Sequence, residues 1–372
     1  MQKFVVFFNY LYDSYKKYKL YRYYSKQFKS YIHQRGYENK RVEGEENYVK
    51  KWSVLSSRVE PYSYRFFIHY VGHTPNIVPE DIGRSVIERI LNPIEYRKTY
   101  SDKNLFPEII GRDFVPKTLL CRINGGNLLD GQFMFADKPI ATYIHDCDTL
   151  ILKPSSNSCS GKGIIKFVKD GDRYVTVDKM TVLSKDFLMS YDHDFCLQEA
   201  VNQHAFMKNL CPTSVNTVRL SLYRSVADER AVVTSAIIRM GKSGSLVDNV
   251  HAGGMFTSVD VKTGKLGRFV TDQYGHKINM WNGIDYANTS LIIPSWDRIL
   301  SFAGYVTSRI PHLRLIAADI ALDESGKPIL LEYNIKSFSY WLYMLTGQEV
   351  FGDYTDEIIN FCKCRIVRND KK

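Results

Sequence analysis

The sequence predicts an α+β fold of more than one lobe, and three observations carry the prediction. Strand pairs joined by turns recur at residues 149–168, 256–270 and 316–334. Helical spacing recurs between them, most clearly over Trp296–Ile310, where Ile299, Leu300, Ala303 and Val306 share one side. At 372 residues the chain is long enough for two or three lobes, each with a core.

The composition, 44% hydrophobic and 24% charged, is ordinary for a globular protein. No apolar run approaches the roughly 18 residues that a bilayer span needs. Phe4–Phe8 is too short for a signal-peptide core, and no small-residue cleavage site accompanies it. Seven cysteines lie scattered at 121, 147, 159, 196, 211, 362 and 364, without Cys-x-x-Cys spacing. That pattern points to free thiols rather than disulfides or zinc. The expected location is cytoplasmic, with peripheral attachment at the inner face of the membrane a further expectation. Of the net charge of +10, residues 1–65 hold 14 Lys/Arg against 6 Asp/Glu, which is 14 − 6 = +8. The remainder is close to neutral and is not a general polyanion binder.

Residues 1–35 combine eight tyrosines with eight Lys/Arg and one acid. Phe4, Phe7, Phe8, Leu11, Tyr12 and Tyr15 follow helical spacing, while Lys16, Lys17, Lys19, Arg22, Lys26 and Lys29 form a basic side. Such a helix suits an anionic membrane surface or an acidic partner, or packs on the body with its lysines in water. No base-reading motif accompanies it, so nucleic acid is not the expected partner. A polar stretch over 36–60 leads to a helix around Tyr48–Leu55. Asp81 is placed to cap a helix over Ile82–Leu91, which Asn92-Pro93 stops. Residues 1–98 are therefore expected to form the basic segment and a small N-terminal domain.

Residues 99–200 open with Asp102-Lys103 and a helix that Gly111 ends. A strand follows at Val115–Ile123. Thr149-Leu-Ile-Leu-Lys153 is a buried-type strand, Pro154–Gly163 a Ser/Gly loop, and Ile164–Val168 the return strand. Lys153 at the end of an apolar strand calls for a counter-charge, for which a nucleotide phosphate is one candidate. The loop's free N–H groups and hydroxyls form a possible phosphate cradle. It is not a Walker A loop, since the spacing differs and no helix follows. The bland alternative is a hairpin with a loose tip.

Residues 201–372 contain Thr217-Val-Arg-Leu-Ser-Leu222, which alternates so that Arg219 projects beside Thr217 and Ser221. Strands at Ala231–Arg239, Phe256–Val261 and Leu266–Val270 follow. The last hairpin runs from Ile316 to Asn334. Ala318, Ile320 and Leu322 fall on one face and Asp319 on the other. Asp323–Pro328 is the turn, and period two puts Glu332 and Asn334 together. Asp319, Glu332 and Asn334 on an apolar hairpin form a hard-oxygen set suited to Mg²⁺. The alternative is that they face water.

In this order the chain resembles an ATP-grasp enzyme over roughly residues 99–345. The resemblance rests on Asp102-Lys103, Leu152-Lys153-Pro154, the small-residue loop, Gln198-Glu-Ala-Val201 and Asp319…Glu332-x-Asn334. The Asp319–Glu332 spacing is similar to that of D-alanine–D-alanine ligases. Ser214-Val-Asn-Thr-Val-Arg219, Arg239-Met-Gly, Asp248-Asn249, Gly253-Gly254 and Val259–Gly264 resemble the sugar-transfer-associated branch, linked to surface polysaccharide synthesis. The resemblance implies an ATP-grasp fold, with two α+β lobes at 99–200 and 201–372 holding ATP between them. It implies that Lys103 and Lys153 contact the phosphates and that Ser155, Ser156, Ser160, Gly161 and Gly163 close over them. Gln198, Glu199 and Val201 would line the adenine and ribose pocket. Asp319, Glu332 and Asn334 would hold one or two Mg²⁺ ions, and Arg219, with Lys153, would face the transferred phosphoryl group. The implied activity is a carboxylate–amine ligase working through an acyl-phosphate, on a small-molecule or sugar-linked carboxylate and an amine acceptor. An amino acid joined to a uronic acid in capsule-type polysaccharide is one such pair. A phosphotransferase and a docking protein with a vestigial ATP site are the alternatives. After Asn334 the familiar small-Pro-Gly is replaced by Ile335-Lys-Ser-Phe, which implies a different acceptor pocket.

Overall fold

The computed structural model describes residues 2–144, 147–156, 161–245 and 248–369, with side chains described from Tyr12 to Val367. Two antiparallel sheets organise the body. The smaller contains β1 (Thr118–Arg122), β2 (Leu128–Asp130), β3 (Thr149–Pro154), β4 (Ile165–Asp170), β5 (Arg173–Thr176) and β6 (Phe195–Glu199). Its order is β2-β1-β6-β3-β4-β5. Leu150, Leu152, Phe167, Phe195 and Leu197 pack into one core beneath it. Alternation sends Lys153 to the opposite face, where it pairs in register with Cys196 of β6.

The larger sheet takes β7 (Thr217–Arg224), β8 (Ala231–Met240), β9 (Met255–Ser258), β10 (Val270–Thr271) and β11 (Lys277–Ile278). A two-strand ribbon follows as β12 (Met280–Trp281) and β13 (Ile284–Asp285). The chain then returns to the large sheet as β14 (Leu315–Leu322) and β15 (Pro328–Asn334). The order is β11-β10-β9-β8-β7-β14-β15. One face buries Val218, Leu220, Leu222, Ile238, Ile316, Ala318 and Ile320 against the helix Trp296–Arg309. Arg219 and Asp319 lie on the other face.

A β-bulge at Asp319/Ile320 decides what β15 presents there. Asp319 pairs with Glu332, but Ile320 pairs with Leu330, so Leu331 is the extra residue. Without it Leu330 would share the face of Glu332 and Asn334. With it, Leu330 joins the core and the two polar residues stay opposite.

The N-terminal region does not stand apart. Helix α1 (Gln2–Gln34) buries Tyr24, Phe28 and Ile32. Their cluster includes Phe66 and Phe67 of helix Tyr62–Val71, Leu342 and Leu345 of helix Tyr340–Leu345, and Ile358 of helix Thr355–Asn369. Tyr223, Ile237 and Leu315 of the large sheet belong to it as well. The expected 1–98 unit thus shares its core with the C-terminal helices. One local expectation changes: Asp81 is not a cap. The helical segment starts at Glu80 after Pro79, and Asp81 is buried inside it. This segment passes through a π-helical turn at Gly83–Ile87. A Cβ on Gly83 would lie 2.3 Å from the Tyr340 ring, so only glycine admits that packing.

Candidate active site

The polar face of the large sheet gathers Arg219, Asp319, Glu332 and Asn334. Register places Arg219 of β7 directly across from Asp319 of β14, and Asp319 across from Glu332 of β15. Arg219 grips the carboxylate with both branches of its fork, Nε to Oδ1 at 2.7 Å and Nη2 to Oδ2 at 2.8 Å. Arg239 reaches Oδ2 at 3.2 Å, and the Asn334 amide donates to Oδ2 at 3.4 Å. Burial favours the neutral acid, but the two arginines outweigh it and hold the Asp319 carboxyl below the usual range.

Arg239 is tied in turn to Asp248 at 3.3 Å and to the Thr217 hydroxyl at 3.0 Å, and Thr217 donates to Asp248. Here burial wins, and the Asp248 carboxyl is pushed up despite Arg239. The Tyr343 hydroxyl is buried in the same field of Arg219, Asp319 and Arg239. It finds no hydrogen-bond partner among the described residues, which leaves a donor available to a ligand.

The lysines close the other side. Lys103 is buried and its Nζ lies 4.0 Å from Glu332 Oε2, while its backbone N–H donates to the Ser155 carbonyl at 2.8 Å. Desolvation lowers the Lys153 pKa and neighbouring Lys103 lowers it further, with Cys196 and Glu332 acting against them. Two cations and one carboxylate therefore meet where the two sheets face each other.

The remaining residues lie nearby in the chain but serve visible local roles. Ser155 is buried and Ser156 half-buried. Gly161 and Gly163 take left-handed φ values of 73° and 78°, and the Gly163 carbonyl accepts from Tyr191 at 2.7 Å. Ser160 lies outside the described residues. Gln198 spends its amide on Thr118 Oγ1 at 3.0 Å and the Pro116 carbonyl at 3.3 Å. Glu199 and Val201 line a cleft of about 400 Å³ together with Lys117, Asn202, Asp323 and Ile329.

Asp319, Glu332 and Asn334 share one face, as period two predicts. Among the described residues no group of three or more His, Cys, Asp or Glu side chains could hold a metal ion, so any such set here depends on Asn334. A carboxylate offers about four lone-pair positions. On Asp319 three of the contacts, from Arg219, Arg239 and Asn334, crowd Oδ2, while Oδ1 accepts from Arg219 alone and keeps one position for a metal. Glu332 is about one-third exposed and Asn334 half-buried, and both offer oxygen directly. The donor types fit Mg²⁺, which binds few carboxylates and keeps water and phosphate oxygens.

Sequence reasoning used Arg239 and Asp248 only as marks of the family resemblance, without a role in the site, and did not single out Tyr343. An arginine inside the apolar run Ile237-Ile-Arg239-Met was the available signal.

The loop after Asn334 is clamped from the N-terminal side. Glu88 accepts from the backbone N–H of Ser337 at 2.7 Å and of Phe338 at 3.0 Å, and Glu80 from Trp341 N–H at 2.7 Å. Asn92 donates to the Ile335 carbonyl at 2.9 Å. These clamps hold Ser337 and Ser339 at φ of 57° and 66°, a conformation L-residues take reluctantly.

The family described as sugar-transfer associated ATP-grasp matches residues 84–358. No curated protein matches the sequence. Solved structures that match include ATP-grasp ligase PsnB complexed with a phosphomimetic variant of minimal precursor, Mg and ADP. It is 13% identical, with 73% of this chain and 61% of that chain covered and a TM-score of 0.41. Another is the VanG D-Ala:D-Ser ligase from Enterococcus faecalis, at 14% identity, 70% and 60% coverage and a TM-score of 0.40. The D-alanine–D-alanine ligase from Bacillus anthracis matches at 10% identity, 73% and 69% coverage and a TM-score of 0.39. The chain spans about six-tenths of the length of the first two.

Proposed function

The chain belongs to the sugar-transfer associated ATP-grasp family, and on that premise we propose that it is an ATP- and Mg²⁺-dependent carboxylate–amine ligase. The observation that carries this reading is the meeting of Lys103 and Lys153 with Glu332 beside the arginine-anchored Asp319. A cationic pair next to hard-oxygen donors suits a triphosphate with its metal.

In this reading Lys103 and Lys153 neutralise the ATP phosphates, and Ser155, Ser156, Ser160, Gly161 and Gly163 supply donors around them. Gln198, Glu199 and Val201 border the nucleoside. Glu332 and Asn334, with Asp319, would hold the Mg²⁺, which when bound would offset the negative charge of the phosphates. Arg219 fixes the Asp319 carboxylate and, from there, faces the transferred phosphoryl group, while Arg239 is held between Asp319 and Asp248 and adds positive charge to the same face. A substrate carboxylate oxygen attacks the γ-phosphorus and the bond to ADP breaks. The amine then attacks the acyl-phosphate carbonyl and phosphate leaves.

The substrates fitting the family are a sugar-linked carboxylate, such as a uronic acid, and an amino acid amine, in cell-surface polysaccharide modification. No helix among the described residues is long and apolar enough to cross a membrane. Exposed Tyr12, Tyr15, Tyr18 and Tyr23 stand among the lysines of α1, a pattern suited to resting on an anionic membrane surface.

The test is incubation with Mg²⁺, ATP and hydroxylamine over a panel of uronic acids. The expected products are a hydroxamate and ADP. A stable phosphorylated acceptor with no hydroxamate would replace the ligase by a phosphotransferase.

A further inference from the structure

A cavity of about 760 Å³ lies between α1 and the body, bordered by Ser339 and Trp341 of the segment that follows Asn334. Its floor is Phe28, Phe66, Phe67 and Leu345, and α1 contributes Tyr12, Tyr15 and Tyr23 to the wall. Lys16, Lys19 and Arg84 line it, and none of its lining residues is Asp or Glu. The size is that of a pocket for one small organic molecule.

Two chain segments lead from the phosphate site to its inner end. Ser339 and Trp341 line the cavity and belong to the loop that Glu88 and Glu80 clamp. His251 lines it too, three residues beyond the Asp248 that holds Arg239. Most of the lining comes from α1, and these two segments connect it in sequence with Asn334 and Asp248.

The chemistry of the lining selects among occupants. Several of its polar side chains are engaged, His251 with Gln273 and the Gln27 amide N–H with the Tyr31 hydroxyl at 2.8 Å, and Gln27 Oε1 is a single buried acceptor without a partner among the described residues. What remains is aromatic and aliphatic surface with cations at Lys16 and Lys19. A saccharide needs many donors and acceptors, whereas an apolar chain needs none. Uncompensated positive charge adds a requirement for an anionic group. The aromatic and lysine side chains of α1 suit a helix at a lipid interface, beside which such a molecule is found.

We propose that this cavity binds an anionic amphiphile, the apolar chain between the rings of α1 and Phe66/Phe67 and the phosphate or carboxylate group at Lys16 and Lys19, and that this is a lipid-borne substrate of the enzyme. The word substrate rests on the ligase reading, while the binding site rests on the cavity alone.

The test is a calorimetric titration of the full chain with dodecyl phosphate below its micellar concentration. Saturable binding is expected, with inorganic phosphate and dodecanol each binding at least about tenfold more weakly. The double substitution Lys16→Glu/Lys19→Glu is expected to weaken dodecyl phosphate about tenfold or more and to leave Mg·ATP binding unchanged. Glucuronic acid is titrated in parallel. Saturable glucuronic acid binding lost in the double variant, with none for dodecyl phosphate, would make the cavity a saccharide site and overturn the proposal. Equal dodecyl phosphate affinity in wild type and variant would overturn it as well. Failure of the wild type to bind Mg·ATP, with the dodecyl phosphate result intact, would remove the ligase reading and leave the amphiphile site standing.

Discussion

Asp319 and Glu332 sit opposite each other on neighbouring strands, yet their substitution is expected to do different things. Asp319 is buried and compensates the buried Arg219 and the half-buried Arg239. Asp319→Ala leaves Arg219 uncompensated in a dry setting and is expected to cost about 3–5 kcal/mol of stability. Glu332 is partly exposed, and its ion pair with Lys103 is long at 4.0 Å. Glu332→Gln is expected to cost less than about 1 kcal/mol while removing Mg·ATP binding. Urea unfolding read beside nucleotide titration checks both, and equal stability losses would refute the distinction. The common face of Asp319, Glu332 and Asn334 was legible because period two is a local rule. The Arg219–Asp319 pair was not, since its partners stand 100 residues apart and only sheet register joins them.

Among the elements, α1 divides in two. Its later turns put Tyr24, Phe28 and Ile32 into the main cluster, while Tyr12, Tyr15 and Tyr18 stay exposed. The helix was readable from spacing; the packed fate holds for its later turns, and the exposed first turns are the part that the membrane proposal concerns. Removing residues 1–18 is expected to leave the melting temperature unchanged and to lower sedimentation with anionic vesicles. Removing residues 1–35 strips three large buried side chains, at about 1.5–3 kcal/mol each, roughly 5–9 kcal/mol in all. Undiminished vesicle binding by the shorter truncation would refute the membrane role of the first turns. The loop after Asn334 shows the limit of reading by resemblance. Its departure from small-Pro-Gly was visible, but its clamp by Glu88, 250 residues away from Phe338, was not.

At the scale of the whole molecule, the N-terminal helices hide a set of buried acids. Burial pushes Glu80 up to about 7 despite Arg84. Burial and mutual repulsion raise Glu60 beside Asp81, and burial raises Glu88. Between the ordinary carboxylate value of 4.5 and about 7, the folded chain holds protons on Glu80 that the unfolded chain has released. Stability from these groups is therefore present in full below that range and falls as pH rises through it. Melting temperature is expected to decline over that interval, and Glu80→Gln to flatten the decline while keeping an acceptor for Trp341 N–H. A melting temperature that rises with pH would contradict the burial argument. None of this was legible in advance, because the acids lose water, and Glu60 meets Asp81, only when the chain packs. The order of lysines, loop and hairpin that identifies the family was legible, because it is written along the chain. The central claim is that the lysine pair and the Glu332 face form one nucleotide site, and calorimetric titration of Mg·ATP tests it most directly. Wild-type protein is predicted to bind at one site, and Lys153→Met to bind at least about tenfold more weakly. Wild-type protein that takes up no Mg·ATP, or equal affinity in the variant, would contradict it.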